Sequence, residues 1–471
     1  MADPPLTDAP LQESADTNEL SYFIRDVFEQ PEAILMTMDG AVFKTQTVRE
    51  IGFNEKLTME EDAEVFDGEV HIDGNRISYV GENNPELNKR KFTREIDCEG
   101  NLLMPGFKNA HTHSAMTFLR SYADDLPLQN WLNDRVFPME AKLQKGDIEI
   151  LSKVAVLEYL TSGITSNFDM YVDNYQHAKA SVQMGFRTVF CGELNNFTGS
   201  LARTREEYET LNKGDELVSF RLGVHAEYTT SRELLEGMAE LAHEYKQPVY
   251  LHLAETKKEV EECKMRYGMS PVQFLDSIGL FDYGGGGFHG VWMDETDRNV
   301  CREKKVSIVT NPSSNAKLAS GIADLPALKK AGINLAIGTD GPASNNALDM
   351  FREMYLAAVL PKLKYEDAAV MDAADVLKMA TTGGALAMGL PECMYVKEGQ
   401  FADLILIDLQ RPNMQPVHNL VKNLVYSGSK ENVKMTMVNG MVLYENGEFF
   451  VGESPSEIYA KANEVTKRIT Q

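Results

Sequence analysis

From residue 104 to about residue 390 the chain repeats one pattern. A short apolar run bounded by turn residues is followed by a longer amphipathic stretch. The runs end near His111, Asp169, Gly192, His225, His252, His289, Asn311 and Asp340. Apolar strands alternating with helix-length segments make parallel β/α units, because a parallel neighbour is reached only by a long crossover. Eight such units in about 290 residues match the count and length of a TIM (β/α)8 barrel. A doubly wound open sheet is the alternative, but no glycine-rich phosphate loop follows the first run. The four glycines 284–287 lack phosphate-loop spacing and read as a flexible turn before a strand.

On either side of the repeat the texture is that of a β-sheet. Residues 69–80 hold two alternating runs around Asp73-Gly74, a strong hairpin signal. Residues 399–408 read as a buried strand, and 433–438 and 441–444 close on Asn439-Gly440. The simplest architecture is a barrel beside a small β-sandwich built from both chain ends. Residues 1–30 form an acidic extension, and 31–104, with strand texture from Ala33, give the first part of the sandwich. Residues 105–394 form the barrel, 395–450 the second part of the sandwich and 451–471 a terminal helix.

Charge narrows the class of partner. Lys and Arg total 46 against 71 Asp and Glu, a net charge of −25. A polyanion repels phosphate backbones and anionic lipid, so nucleic acid and membrane surfaces are disfavoured. No apolar run approaches the roughly 18 residues of a membrane span. The N-terminus has neither the basic nor the apolar region of a secretory signal. Cys98, Cys191, Cys263, Cys301 and Cys393 are scattered without a CxxC pair and read as reduced thiols. A cytoplasmic protein is expected, with homo-oligomerisation left open.

The chemistry gathers at the strand ends. His111 and His113 are i and i+2 on an extended segment, so both imidazoles can face one point and hold a borderline metal. His225, His252 and His289 also fall at strand ends, on the rim where TIM barrels carry their active sites. His71, His177, His243 and His418 do not, and read as surface or satisfied core histidines. Asp340 ends the last run, where a carboxylate is costly to desolvate unless paired or bound to metal; a helix N-cap is its other reading. Glu255, three residues beyond His252, has the reach of a proton carrier; its other reading is a first-turn helix glutamate. His225-Ala226-Glu227 matches the HxE of zinc cytidine deaminases, but no PCxxC follows. No GxSxG is present, and no cysteine at a strand end has a supporting motif.

Longer stretches carry a resemblance. Pro105-Gly106-Phe107-Lys108-Asn109-Ala110-His111-Thr112-His113 resembles the first-strand signature of the amidohydrolase superfamily. His252-Leu253-Ala254-Glu255-Thr256, Thr310-Asn311-Pro312-Ser313-Ser314-Asn315-Ala316-Lys317-Leu318 and Gly338-Thr339-Asp340-Gly341 extend it. Within the superfamily the chain is similar to the 5′-methylthioadenosine/S-adenosylhomocysteine deaminases, relatives of the triazine hydrolases. That resemblance implies one divalent metal, zinc above all, held by His111, His113, His252 and Asp340. It implies that His289 and Asp340 orient and deprotonate a water, and that Glu255 protonates the purine ring. His225 would then bond the base and Glu140 the ribose hydroxyls, with Trp131 either a pocket wall or a core residue.

The implied activity is hydrolytic deamination of a small-molecule adenine nucleoside, at a carbon–nitrogen bond of a cyclic amidine. A free aminated heterocycle, guanine or an s-triazine, is the alternative, and a non-catalytic metal-binding barrel a third. Glu140 and His225 argue for a nucleoside, and the retention of Glu255 and His289 argues against a dead barrel. One departure bears on the substrate. An arginine able to meet the S-adenosylhomocysteine carboxylate commonly follows the third strand in this group, but here the stretch is Phe190-Cys191-Gly192-Glu193. Glu193 would repel that carboxylate, and Arg203 and Arg205 lie further on. Adenosine, 5′-deoxyadenosine and 5′-methylthioadenosine are therefore favoured over S-adenosylhomocysteine.

Overall fold

Eight strands, all but the fourth buried along their length, form one parallel sheet in sequence order: Phe107–Thr112, Ile164–Met170, Arg187–Cys191, Val218–Ala226, Val249–Leu253, Gly285–His289, Val306–Thr310 and Leu335–Ile337. The computed structural model describes residues 41–43, 49–50, 68–85, 91–122, 124–126 and 128–471. All of these fall within one compact unit, Thr37–Gln471. The expected acidic extension 1–30 and the strand texture from Ala33 lie outside them.

The last strand returns to the first. The Asp340 N–H donates to the His111 carbonyl at 3.0 Å, and the Thr339 N–H donates to Asn109 Oδ1 at 2.8 Å. Asn109 Nδ2 in turn donates to Thr339 Oγ1 at 2.8 Å, so the sheet closes as the expected TIM barrel. Helices separate the strands, and their starts are written in the sequence. Ser200, Ser231 and Asp173 each accept a backbone N–H three residues on, while Thr256 with Glu259 and Asp294 with Asp297 form capping boxes.

The glycine run corrects one expectation. Gly284, at φ +85°, is the turn, but Gly285, Gly286 and Gly287 belong to the sixth strand. A Cβ on Gly286 would lie 2.4 Å from the Tyr250 ring, and one on Gly285 would lie 2.4 Å from the Val249 carbonyl. The fifth strand and its large side chains occupy the space, so the first three residues of this strand had to be built without side chains.

Two further sheets come from the flanks. One contains the hairpin Glu69–Asp73 and Arg76–Gly81, turning on Gly74 and Asn75, with Ala41–Phe43 and Arg94–Ile96. The other pairs Leu102–Pro105 antiparallel to Leu404–Ile407, then Val433–Val438 and Met441–Glu445, so both ends of the chain share one sheet. Its strands alternate as a two-faced sheet must. Leu103, Leu404, Leu406, Met435 and Met437 pack with Val70, Ile72 and Ile77 of the first sheet, whereas Leu102, Met104, Ile405, Ile407 and Val433 join the barrel's main core. The sandwich is therefore fused to the barrel through one sheet.

Helix Pro455–Thr470 ends the chain. All five cysteines are free and buried. Among the described residues no helix is long and apolar enough to cross a membrane.

Candidate metal and active site

Four strand ends bring His111, His113, His252, His289 and Asp340 together. His111 is fully buried and stacks on Phe288 of the sixth strand, with centroids 3.9 Å apart and an interplanar angle of 18°. The rings of His111 and His113 lie 4.8 Å apart. His113 Nδ1 donates to the Met170 carbonyl at 2.5 Å, and His252 Nδ1 to the His225 carbonyl at 2.8 Å. A carbonyl can only accept, so each ring carries its proton on Nδ1 and turns Nε2 into the cluster, where the two Nε2 atoms are 3.4 Å apart. Asp340 Oδ1 stands 3.5 Å from His111 Nε2 and 3.2 Å from His113 Nε2. Its other oxygen accepts from Ser314 Oγ at 2.6 Å and Ser344 Oγ at 2.9 Å. The ligand atoms of His111, His113 and Asp340 lie within 4.8 Å of one another, as do those of His111, His252 and His289.

This donor set fits a divalent metal. Neither ring nitrogen of His111 has a hydrogen-bond partner, although both are buried. An unsatisfied buried polar group costs about 1–3 kcal/mol, a penalty that a coordinating cation removes. Burial holds His111 down at about 3, against the attraction of the nearby Asp340 carboxylate, and burial with the surrounding imidazoles holds His252 far below its ordinary value. Both rings are neutral, as ligands must be. Burial would lower His113 too, but Asp340 and the Met170 carbonyl raise it to about 9. Burial would raise Asp340, yet the neighbouring His111, His113 and His289 imidazoles keep it ionised well below its ordinary range.

Glu255 sits beside this cluster, buried, just before the helix Lys257–Tyr267 whose cap is Thr256. It is therefore not a first-turn helix residue. Asp340 is not an N-cap either, since Asp349 caps the next helix. Glu255 Oε1 accepts from Ser320 Oγ at 3.0 Å, and Oε2 lies 3.9 Å from His289 Nε2. Its backbone N–H and that of Ala254 donate to Glu259 at 2.8 and 2.7 Å. Burial raises the Glu255 carboxyl; His289 opposes and Asp340 adds to the rise. Ala254, His289 and Asp340 have φ of +50°, +77° and +57°. Left-handed backbone at non-glycine residues costs of order 1–3 kcal/mol each, and such residues cluster at active sites.

The remaining expected residues ring the same centre. The His225 ring is 4.8 Å from that of His252, its Nδ1 is 2.9 Å from Thr229 Oγ1, and burial with the His113 charge lowers it to about 4. Glu140, on the turn Phe137–Glu140, is raised by burial against the influence of Tyr171 and His113. Glu193 is pushed up to about 8 by burial and by the Glu140 carboxylate. Trp131 is buried in the main core. Arg203 donates to Glu207 and to the Val172 carbonyl, and Arg205 to Glu244 and Tyr245. Both guanidinium groups are engaged.

Of the four histidines set aside, His71 is buried against Glu69 at 3.2 Å, His243 pairs with Asp282 at 3.1 Å and His418 is exposed. His177 is a core histidine, buried 3.3 Å from Asp169. Asp169 Oδ2 accepts from the Ser114 N–H at 2.8 Å and from its hydroxyl, and so fixes the residue after His113. Asp169 was not among the expected site residues, and its place at the end of the second run was the available signal. Asn315 and Ser320, which bond His289 and Glu255, were also missed.

Residues 102–443 match the amidohydrolase family. A relative named 5-methylthioadenosine/S-adenosylhomocysteine deaminase, from Thermoanaerobacter pseudethanolicus, is 40% identical over 403 residues, covering 83% of this chain and 92% of its own. An adenosine deaminase from Xanthomonas campestris, solved with bound zinc, superimposes with a TM-score of 0.84 at 32% identity, over 91% of this chain and 98% of its own. A triazine hydrolase variant matches at 0.82 and 23% identity over 91% of this chain and 99% of its own, a likeness of fold.

Proposed function

The chain belongs to the amidohydrolase family, and on that premise we propose that it is a metal-dependent hydrolytic deaminase of adenine nucleosides, giving an inosine-type product and ammonia. The observation that carries the reading is the convergence of two neutral imidazoles and one ionised carboxylate beside a raised, buried Glu255. The relatives' names supply the substrate class.

In this reading His111, His113, His252 and Asp340 hold one zinc ion. When bound, such an ion lowers the pKa of water from about 16 towards about 7 and so supplies a nucleophile at neutral pH. Asp340 and His289 accept the proton of the attacking water. Glu255, whose carboxyl burial raises, delivers a proton to the ring nitrogen as the water oxygen bonds to C6, so that the broken aromatic system gains no net charge. The proton taken from the water passes from His289 or Asp340 to the exocyclic amine, the C6–N bond breaks and ammonia leaves, and the C6 hydroxyl gives its proton back to Glu255 as it becomes the carbonyl. His225 bonds the base, and Glu140 takes the ribose hydroxyls, which a bare guanine or triazine lacks.

The 5′ end of the pocket favours neutral groups. Glu193 stands where a carboxylate substituent would need a cation, and Arg203 and Arg205 are engaged elsewhere. The deciding experiment is ammonia release from adenosine, 5′-deoxyadenosine, 5′-methylthioadenosine and S-adenosylhomocysteine, with and without chelator. Chelator-sensitive turnover is expected, with S-adenosylhomocysteine last in kcat/KM. Turnover of guanine or an s-triazine alone would overturn the nucleoside reading.

A further inference from the structure

We propose that Asn315 and Ser320, on the loop after the seventh barrel strand, are positioning residues that fix His289 and Glu255 against each other. The inference rests on the proton-carrying roles given to those two residues above.

The loop passes through the short helix Pro312–Lys317 and turns back at Ala319, whose φ is +56°. The Asn315 N–H donates to the Asn311 carbonyl, and the Ser320 N–H to the Asn315 carbonyl, both at 2.9 Å. The two side chains therefore move as one piece. Both are buried, so water is a poor substitute for either.

Each side chain meets one proton carrier. Asn315 Oδ1 accepts from His289 Nδ1 at 2.7 Å. An acceptor there keeps the ring proton on Nδ1 and presents the Nε2 lone pair to the site. Ser320 Oγ donates to Glu255 Oε1 at 3.0 Å, which leaves Oε2 free on the side facing His289 Nε2.

The far side of the loop is tied as well. The Trp292 indole N–H donates to the Ser320 carbonyl at 2.7 Å, while the Trp292 backbone N–H donates to the Ala254 carbonyl at 2.9 Å. Glu255, Ser320, Trp292 and Ala254 thus close a ring that returns to the residue beside Glu255. His289 and Ala254, both at positive φ, are the conformations such bracing has to maintain.

A residue that merely holds the loop affects stability whether or not Glu255 is present. A residue acting through Glu255 does not, and this separates the two roles. The test is a double-mutant square on the metal-loaded full chain, with kcat and KM for adenosine, metal content and thermal midpoint all measured. Glu255→Gln is expected to lower kcat by about 10²–10⁴-fold. Ser320→Ala is expected to lower kcat by about ten-fold with KM and metal content unchanged, as for loss of one buried hydrogen bond. Ser320→Thr, which keeps the hydroxyl, restores kcat to within about three-fold, and in the Glu255→Gln background Ser320→Ala changes it by less than about two-fold. A second square pairs Asn315→Ala with His289→Gln and is expected to give the same pattern.

Should Ser320→Ala fail to fold, Trp292→Phe, which removes only the indole N–H, takes its place in the square. An equal effect of Ser320→Ala in both backgrounds, or coupling in one square and not the other, overturns the common brace. Full activity of Glu255→Gln overturns the acid role itself, and that arm distinguishes the two failures.

Discussion

The two ends of the barrel treat buried charge in opposite ways. At the N-terminal end, under the sandwich, Arg187 donates to both oxygens of Asp403 at 2.7 and 3.1 Å, to Asn439 Oδ1 at 3.0 Å and to the Glu216 carbonyl at 3.0 Å. Its guanidinium also lies 4.5 Å over the Phe401 ring. The Asp403 carboxyl is held below its usual range, because Arg187 and Lys108 overcome the effect of burial. At the opposite rim, His111 keeps two unpartnered nitrogens, three non-glycine residues stand at positive φ, and Glu140, Glu193 and Glu255 are all raised. One end is satisfied and the other is strained. Full satisfaction serves the fold, whereas incomplete satisfaction leaves groups able to bind and move protons.

That contrast breaks most sharply at Asp340. Asp340→Asn removes the one charge on which His111 and His113 converge. It is expected to lower kcat/KM for 5′-methylthioadenosine by about 10³-fold and to lower the thermal midpoint modestly, because the carboxylate that pairs with His111 and His113 and would help hold the ion is lost. Turnover and a melting curve on the same preparation check both halves. At the other end the expectation inverts. Arg187→Met strands the Asp403 carboxylate in the interior and costs about 3–5 kcal/mol in a denaturant titration, with kcat per folded molecule unchanged. Replacing both partners, Arg187→Met with Asp403→Leu, should recover most of that loss.

The difference also explains what a reader of the chain can see. The barrel was legible because short runs alternate with longer amphipathic stretches eight times, and the metal-binding cluster because histidine at strand ends is not what packing alone would place. Gly285, Gly286 and Gly287 misled because a strand without side chains has no alternation, and its reason lies in Tyr250 and Phe281 on other elements. Asn315 and Ser320 sit in a loop with no period, so their partners were fixed only by the turn at Ala319. Arg187 and Asp403, 216 residues apart in sequence, could not be paired before the sandwich and barrel were joined. The active end was readable from its chemistry, and the structural end only from its topology.

A smaller effect sharpens the structural side. The hairpin turn Asn439-Gly440 has φ of +53° and +78°, and a Cβ on Gly440 would lie 2.3 Å from the Gly74 carbonyl oxygen. The tips of two hairpins, one from each part of the sandwich, therefore touch at a point where only hydrogen fits. Gly440→Ala should cost about 1–3 kcal/mol through strain and separation of the tips. A thermal melt reads this, and kcat should not change, because the site is at the far end of the barrel.

The smallest effect lies on the rim and asks which of its raised carboxyls meets the substrate. Glu193 is neutral below about 8 and an anion above it, because burial first and the Glu140 carboxylate second oppose its ionisation. A 5′-methylthio group is indifferent to that change, whereas the carboxylate of S-adenosylhomocysteine is not. At the effective dielectric of a half-open pocket, two like charges several ångströms apart are worth about 1 kcal/mol, or about five-fold. The ratio of kcat/KM for S-adenosylhomocysteine to that for 5′-methylthioadenosine should therefore fall by about that factor as pH rises through the Glu193 transition. Taking the ratio cancels the pH dependence that both substrates share through the common catalytic steps. Glu193→Gln should flatten the ratio and lift it at alkaline pH. A ratio already flat in the wild-type enzyme would place the 5′ group away from Glu193 and leave its raised carboxyl as strain borne by the rim alone.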